Sequence, residues 1–281
     1  MTLYIGDKPV GLYKIVEKKV PKTLYGATID MVLGSELVGD LSFDGVTSTS
    51  FYQFYGRFTR GAVTFRSEPV TVSFPDLETV KSNGLSYMFF VAAYSGTDEN
   101  VSLLFPKLKL IKNVGMDHFM ASVSNGCGNK VSTLQMPLLE TIEGSSACNS
   151  AFTATASKRC LLTKLEFPNL TTINGSSACS NMFRNQAALQ TVAVPALATI
   201  NGYNVCDNMF NGCKSLTTIS FPALTSIGND CFGSASYNYI FSGCTALTEI
   251  HFRADMQATI EAMSGYADKW GAVNASIIFD L

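Results

Sequence analysis

Charged residues are scarce in this 281-residue chain, at 15%, and they nearly cancel to a formal net charge of −2. No run of lysines extends beyond Lys18-Lys19, so the electrostatic footprint that a nucleic-acid partner requires is missing. The only histidines are His118 and His251, and none of the eight cysteines forms a C-x-x-C pair. A structural metal therefore has no ligand framework, and no cofactor is expected. No window approaches 18 consecutive apolar residues, so no segment is expected to insert into a membrane. The opening Met1-Thr-Leu-Tyr-Ile-Gly-Asp-Lys-Pro9 lacks a basic region followed by an apolar stretch, and it lacks a small-residue cleavage site. On that ground the mature chain is expected to begin where written.

Catalytic motifs are missing too. The chain has no Gly-rich phosphate loop with a following lysine, no G-x-S-x-G and no H-E-x-x-H. His118 and Cys127 are the one base and nucleophile close in sequence. Cys127, however, sits in a Ser-Asn-Gly-Cys-Gly-Asn turn, and His118 directly precedes a repeat phenylalanine, Phe119. No catalytic residue is assigned, and the chain is expected not to be an enzyme.

What the chain does have is apolar material, 47% of its residues, arranged as a long-period repeat. Pro75, Pro106, Pro137, Pro168, Pro195 and Pro222 each sit in the same phrase, at spacings of 31 or 27 residues. The phrase is cleanest at Leu216-Thr-Thr-Ile-Ser-Phe-Pro-Ala-Leu-Thr-Ser-Ile227. It recurs around Phe74, Phe105, Met136, Phe167 and Val194, and a seventh copy (Leu247, Ile250, Phe252) carries Arg253 in place of proline. An eighth copy, Leu41, Phe43 and Val46, precedes them all. A fixed period of this size marks a solenoid, because one coil cannot bury its apolar side alone and stacking completes the core.

Within each phrase the residues before proline alternate, as a strand requires, so Ile219 and Phe221 point inward while Thr218 and Ser220 point outward. Proline cannot donate to a ladder and therefore ends the strand. Leu at +2 and Ile or Val at +5 follow, then a Gly-rich stretch, then an aromatic slot filled by Phe89, Phe119, Phe152, Phe183, Phe210 and Phe241. A short helical or 3₁₀ turn is expected at Asn181-Met-Phe183 and Asn208-Met-Phe210. Cys148, Cys179 and Cys206 recur at one position, and Cys213 and Cys244 follow Phe210 and Phe241 by three. They read as stacked columns of reduced core thiols, with disulfides as the alternative, and they imply assembly in a reducing cytosol.

The phrases Leu-x-x-Ile-x-Phe-Pro-x-Leu-x-x-Ile and Met-Phe-x-Gly-Cys-x-x-Leu resemble the BspA-like class of bacterial leucine-rich repeats over about residues 60 to 252. The fold class expected is α/β, a leucine-rich-repeat solenoid of about seven coils with a parallel β-sheet on one face, short helical turns elsewhere and terminal caps. Extra residues around Gly175-Ser-Ser-Ala and Gly202-Tyr-Asn-Val are expected to thicken the side away from the sheet. The resemblance implies surface recognition, adhesion or display and no active site.

Three regions are expected: residues 1–40 as an N-terminal attachment or cap segment, 41–253 as the solenoid and 254–281 as a helix-strand cap. In the last, Met256, Ile260, Met263 and Trp270 recur at helical spacing, with Asp255 as N-cap and Gly271 as stop, before a closing strand at Ser276–Asp280. Near the start, Leu3-Tyr-Ile and Leu12-Tyr-Lys-Ile-Val read as strands around the Gly6-Asp7-Lys8 turn. This stretch resembles N-terminal segments of bacteriophage tail and fibre proteins, which implies attachment to other virion proteins; an extra hairpin capping the first coil is the alternative. Residues 43 to 65 are rich in aromatics (Phe43, Phe51, Tyr52, Phe54, Tyr55, Phe58 and Phe65), expected to pack an irregular first coil.

Function is then expected on the outward strand positions. Thr133, Gln135, Lys164, Glu166, Thr191, Thr218, Ser220, Glu249 and His251 form the candidate binding face, suited to a host-surface protein or glycan. The leading expectation is a virion appendage assembled in the host cytoplasm, and the alternative is a bacterial cell-surface adhesin. The fibre resemblance alone suggests a homo-oligomer, and no heptad repeat accompanies it.

Overall fold

A computed structural model describes residues 3–5, 8–10, 35–37, 41–43, 45–49, 63–65, 70–89, 93–94, 100–121, 130–156, 159–233 and 239–281. Each repeat phrase begins with a strand, turns at its proline and continues into a second strand. The turn has one cause: the N–H of Leu at +2 donates to the carbonyl of the residue before proline, at 3.1–3.4 Å, in all six proline copies. Proline at the second position of such a β-turn supplies the required φ and gives up an N–H that nothing there needs.

The first strands stack in parallel as β4 (Leu41–Ser42), β6 (Val70–Ser73), β9 (Val101–Leu104) and β11 (Val131–Gln135), then as β13 (Lys164–Glu166), β15 (Thr191–Ala193), β17 (Thr218–Phe221) and β19 (Glu249–Phe252). The second strands form a six-stranded parallel sheet of β7 (Thr79–Val80), β10 (Leu110–Ile111), β12 (Thr141–Glu143), β14 (Thr172–Asn174), β16 (Thr199–Asn201) and β18 (Ser226–Ile227). The molecule is a parallel leucine-rich-repeat-type solenoid of about six complete turns, where the spacing predicts about seven. The difference lies at the ends. The copy at Leu41 contributes β4, and Ser48 makes a single bridge to Thr79. The copy at Ile250 contributes β19, but Arg253 lets the chain pass into the cap instead of a second strand.

Two expectations about the sheets need correction. The segment after proline is a second parallel sheet, and the first-strand sheet is not continuous. It divides into a four-stranded part ending at β11 and a five-stranded part beginning at β13. The division lies in the last of the 31-residue intervals, Pro137 to Pro168, one coil before the spacing shortens to 27. There β11 carries a register shift between Val131 and Thr133, and a bulge of this kind bends its strand and raises the local twist. The second sheet runs unbroken across the same point, with Ile142 paired to Ile173.

A third face completes each turn. The N–H of Cys148 donates to Ala178 of the next coil (2.7 Å), Cys179 to Val205 (2.8 Å) and Cys206 to Cys231 (2.9 Å). Between these residues lie β-turns, such as the N–H of Met182 to the carbonyl of Cys179 at 3.1 Å. The expected helical turns at Asn181 and Asn208 are therefore a spiral of β-turns. Left-handed residues recur along it, Ser177, Asn181 and Asn185 in one coil and Asn204 and Asn208 in the next, and asparagine tolerates that conformation better than most residues.

Inside, equivalent side chains form columns. Phe43 stacks on Phe74 (4.4 Å between ring centroids) and Phe74 on Phe105 (5.2 Å). The six expected slot residues form one aromatic file from Phe89 through Phe119, Phe152, Phe183 and Phe210 to Phe241, with successive centroids 5.4–6.2 Å apart. An apolar void of about 30 Å³, lined in part by Phe167 and Phe221, lies beside Val194, which is too small to fill the slot that phenylalanine takes in neighbouring coils. Gly175 and Gly202 lie on the turn face. They stack with Gly144 as a glycine file, in which a Cβ on Gly175 would lie 2.4 Å from the Gly144 carbonyl oxygen.

At the C-terminal end Met256, Ile260, Met263 and Trp270 are buried as expected, and Trp270 packs edge-on to Phe232 and Phe252. The helical part is shorter than the spacing suggests: α1 covers Gln257–Glu261, preceded by a 3₁₀ turn, Ala254–Met256. Asp255 does not cap it. Its carboxylate is held by Arg253 at 2.6 and 2.9 Å. The closing strand β20 (Ser276–Phe279) adds to β19 in parallel register.

At the N-terminal end β1 (Leu3–Ile5) pairs antiparallel with β2 (Lys8–Val10). A three-stranded parallel sheet joins β3 (Ser35–Leu37), β5 (Val63–Phe65) and β8 (Ala93–Tyr94). Leu12–Val16, Phe51, Tyr52, Phe54, Tyr55, Phe58 and Cys127 lie outside the described residues.

Candidate functional site

Parallel register places seven of the nine expected face residues in two rows on the five-stranded sheet. Lys164, Thr191, Thr218 and Glu249 occupy one row; Glu166, Ala193, Ser220 and His251 occupy the next. Thr133 and Gln135 stand across the division on β11, so the face is two surfaces and not one. The division opens a groove of about 390 Å³ lined by Thr133, Gln135, Lys164 and Glu166, with Pro137 and Pro168 on its walls. β11 and β13 approach to within 8 Å between Cα atoms here but share no ladder. Backbone groups that pair between other neighbouring coils are left facing the groove.

Lys164 and Glu166 alternate on one strand, and the ammonium lies 2.6 Å from the carboxylate. Both side chains are more than half exposed, so the pair contributes little to stability. What it does is present a donor beside an acceptor with no net charge.

His251 is on the outward row but largely covered. Its Nδ1 lies 2.9 Å from Asp280 and its Nε2 3.3 Å from Glu249. The hydrogen bond to Asp280 is the main reason its pKa is raised, and Glu249 adds to it. Asp280 follows β20, so this contact ties the closing strand to β19. Sequence spacing gives no hint of it, because the partners are 29 residues apart. A raised histidine pKa stabilises the folded cap fully below the unfolded value near 6.5, and that contribution disappears as pH rises through the folded value. Resistance of the C-terminal end to urea is therefore expected to fall as pH rises above about 6.5, and Asp280→Asn is expected to flatten the dependence. A profile that rises over that interval would contradict the assignment.

The cysteine columns are chemically quiet. Cys148, Cys179 and Cys206 are buried thiols without disulfides, and burial drives their pKa values upward, the opposite of what a nucleophile needs. Cys213 donates from Sγ to the carbonyl of Phe183 (3.4 Å), and Cys244 to that of Phe210 (3.1 Å). Gln186 does the same for Phe152, at 2.8 Å. The position three after the slot phenylalanine thus supplies a hydrogen bond to the coil before it, a role the sequence alone did not reveal.

His118 pairs with Asp117 (2.9 Å) and stacks on Tyr87, while Asp117 also accepts from Asn149 (3.0 Å). Asp207 is buried on the same turn face, and desolvation, helped by Asp230, pushes its pKa to about 6. Among the described residues no group of three His, Cys, Asp or Glu is placed to hold a metal, and no helix is long and apolar enough to cross a membrane.

The outer row of the second sheet, unforeseen from the sequence, carries Thr79, Leu110, Thr141, Thr172, Thr199 and Ser226. Its N-terminal coils are tied by ion pairs of Lys107 with Asp76, Lys109 with Glu78 and Lys112 with Glu143.

Comparison with known proteins gives a partial match. No curated protein matches the chain. A solved leucine-rich repeat protein from Bacteroides ovatus aligns over 84% of this chain at 13% identity, with a TM-score of 0.29. The chain spans 64% of that protein's length. Within the chain, residues 152–264 match the BspA type leucine rich repeat region in six copies, a stretch that starts later than the resemblance over 60 to 252 suggests and contains both Asn-Met-Phe phrases.

Proposed function

We propose that this chain is a non-enzymatic recognition or display protein that works by presenting its sheet surfaces to a macromolecular partner. One observation carries the reading: the repeat consumes its apolar and thiol side chains in shared internal columns, while the groove and the two polar rows beside it are left outward. A solenoid built this way has an extended surface of repeating positions for contact. Cys179 and Cys206, in the repeat column, are too deeply buried for nucleophilic chemistry.

The setting we infer is a bacteriophage virion appendage, a tail or fibre component. Residues 1–40 would join it to other virion proteins and the solenoid would meet a host-surface protein or glycan. The resemblance of the first 20 or so residues to phage tail segments supports this setting. A second reading, a bacterial cell-surface adhesin, is favoured by the BspA-type match over 152–264. Immunogold labelling with antibody to the full chain separates them: label on particles supports the appendage, and label on the envelope of particle-free cells supports the adhesin. Purified chain that adsorbs to no cell surface, from a source where neither structure is labelled, would overturn the recognition reading itself.

A further inference from the structure

We propose that the break between β11 and β13 is a binding site for a neutral glycan, an inference that rests on the recognition reading above and gives it a location. The break is local: the second sheet and the turn face continue through it, so it is not a frayed end of the solenoid. On one side of it β11 carries a register shift at Ser132 in its ladder with β9. Two strand edges therefore face each other across an opening with backbone donors and acceptors that no neighbouring coil uses.

The lining selects the ligand chemistry. Lys164 donates and Glu166 accepts from adjacent positions, and their 2.6 Å pairing cancels the charge. Gln135 and Thr133, opposite, each both donate and accept. A hydroxyl is the group that satisfies such mixed partners, because it too does both, and a sugar carries several at the spacing of a ring edge. A carboxylated sugar would bring its charge against Glu166. The pyrrolidine rings of Pro137 and Pro168 offer the apolar contact that a sugar's C–H face needs.

The test is a glycan array probed with the full chain, carrying neutral glucans, galactans and mannans beside sialylated and uronic-acid-bearing glycans. Positives are followed by solution titration. Neutral oligosaccharides are expected to bind, and Lys164→Ala and Glu166→Ala are each expected to weaken binding about tenfold or more. Lys214→Ala, exposed on the turn face of a later coil, is expected to stay within about twofold. Both groove residues are exposed, so the variants retain the fold, which thermal melting checks. Equal or tighter binding of the anionic glycans would overturn the neutral assignment, and loss confined to Lys214→Ala would overturn the location. Absence of any glycan binding by a chain that still adsorbs to cells overturns this inference and leaves the recognition reading standing. Absence of both overturns the two together.

Discussion

Phe183→Ala is expected to lower the unfolding free energy by about 3–5 kcal/mol, near the upper end for a single core truncation. Phe183 is fully buried at the middle of the aromatic file, stacked on Phe152 at 5.5 Å and Phe210 at 6.0 Å and tilted against Phe167 at 6.3 Å. Removing its ring deprives three neighbours of contact, and the file cannot close over the gap because each coil is held by its own ladders. The position also lies just past the break in the first-strand sheet, where coupling between coils is already reduced. In a quasi-one-dimensional molecule stability is carried by nearest-neighbour interfaces. The variant is therefore expected to melt in two steps by urea and to gain proteolytic cleavage between Thr153 and Thr163. A single cooperative transition displaced by less than about 1 kcal/mol would show that the file is not a continuous support.

Gly175→Ala is expected to cost about 3 kcal/mol or more, from backbone strain combined with overpacking. Gly175 has a φ of +127°, a conformation L-residues rarely adopt, and its added Cβ would meet the backbone carbonyl of Gly144 at 2.4 Å. No rotamer relieves a clash with backbone, so the coils must separate, and the ladder from Gly175 to Asn201 (2.9 Å) is strained with them. A melting temperature lower by about 6–12 °C is expected. Gly45 is the control: its φ of +73° is also left-handed, but its Cβ would meet open space. Gly45→Ala is expected to cost only about 1 kcal/mol. Equal losses at the two sites would show that conformation and not close approach governs the glycine file.

Both predictions concern columns, and columns were largely legible in the sequence. The six slot phenylalanines, the leucine at +2 and the cysteines at one repeat position all appear inside, in the files their spacing implies. Proline placed the turn correctly, because its fixed φ and missing N–H act within four residues. The second sheet was not legible. Thr172-Ile-Asn174 and Thr199-Ile-Asn201 are three residues long, too short for alternation to distinguish a strand from a turn. The spiral of β-turns was mistaken for helix for a related reason: both bury a phenylalanine every few residues, and they differ in the sign of φ at Asn181 and Asn208. Of the candidate face, the residue identities and outward direction were readable, but the separation of Thr133 and Gln135 from the other seven was not.

Which side chains face inward, where each coil turns and that the coils stack were decided by the sequence alone, since these depend on alternation, proline and period within one repeat. Which coils pair across their edges was decided only in three dimensions. One sheet breaks between β11 and β13 while its neighbour continues, and His251 finds Asp280 just past the strand laid beside it. Lateral hydrogen bonding joins residues 27 to 31 positions apart, and its register responds to small bends and loop lengths that no local pattern records. The groove between β11 and β13 exists because of that difference.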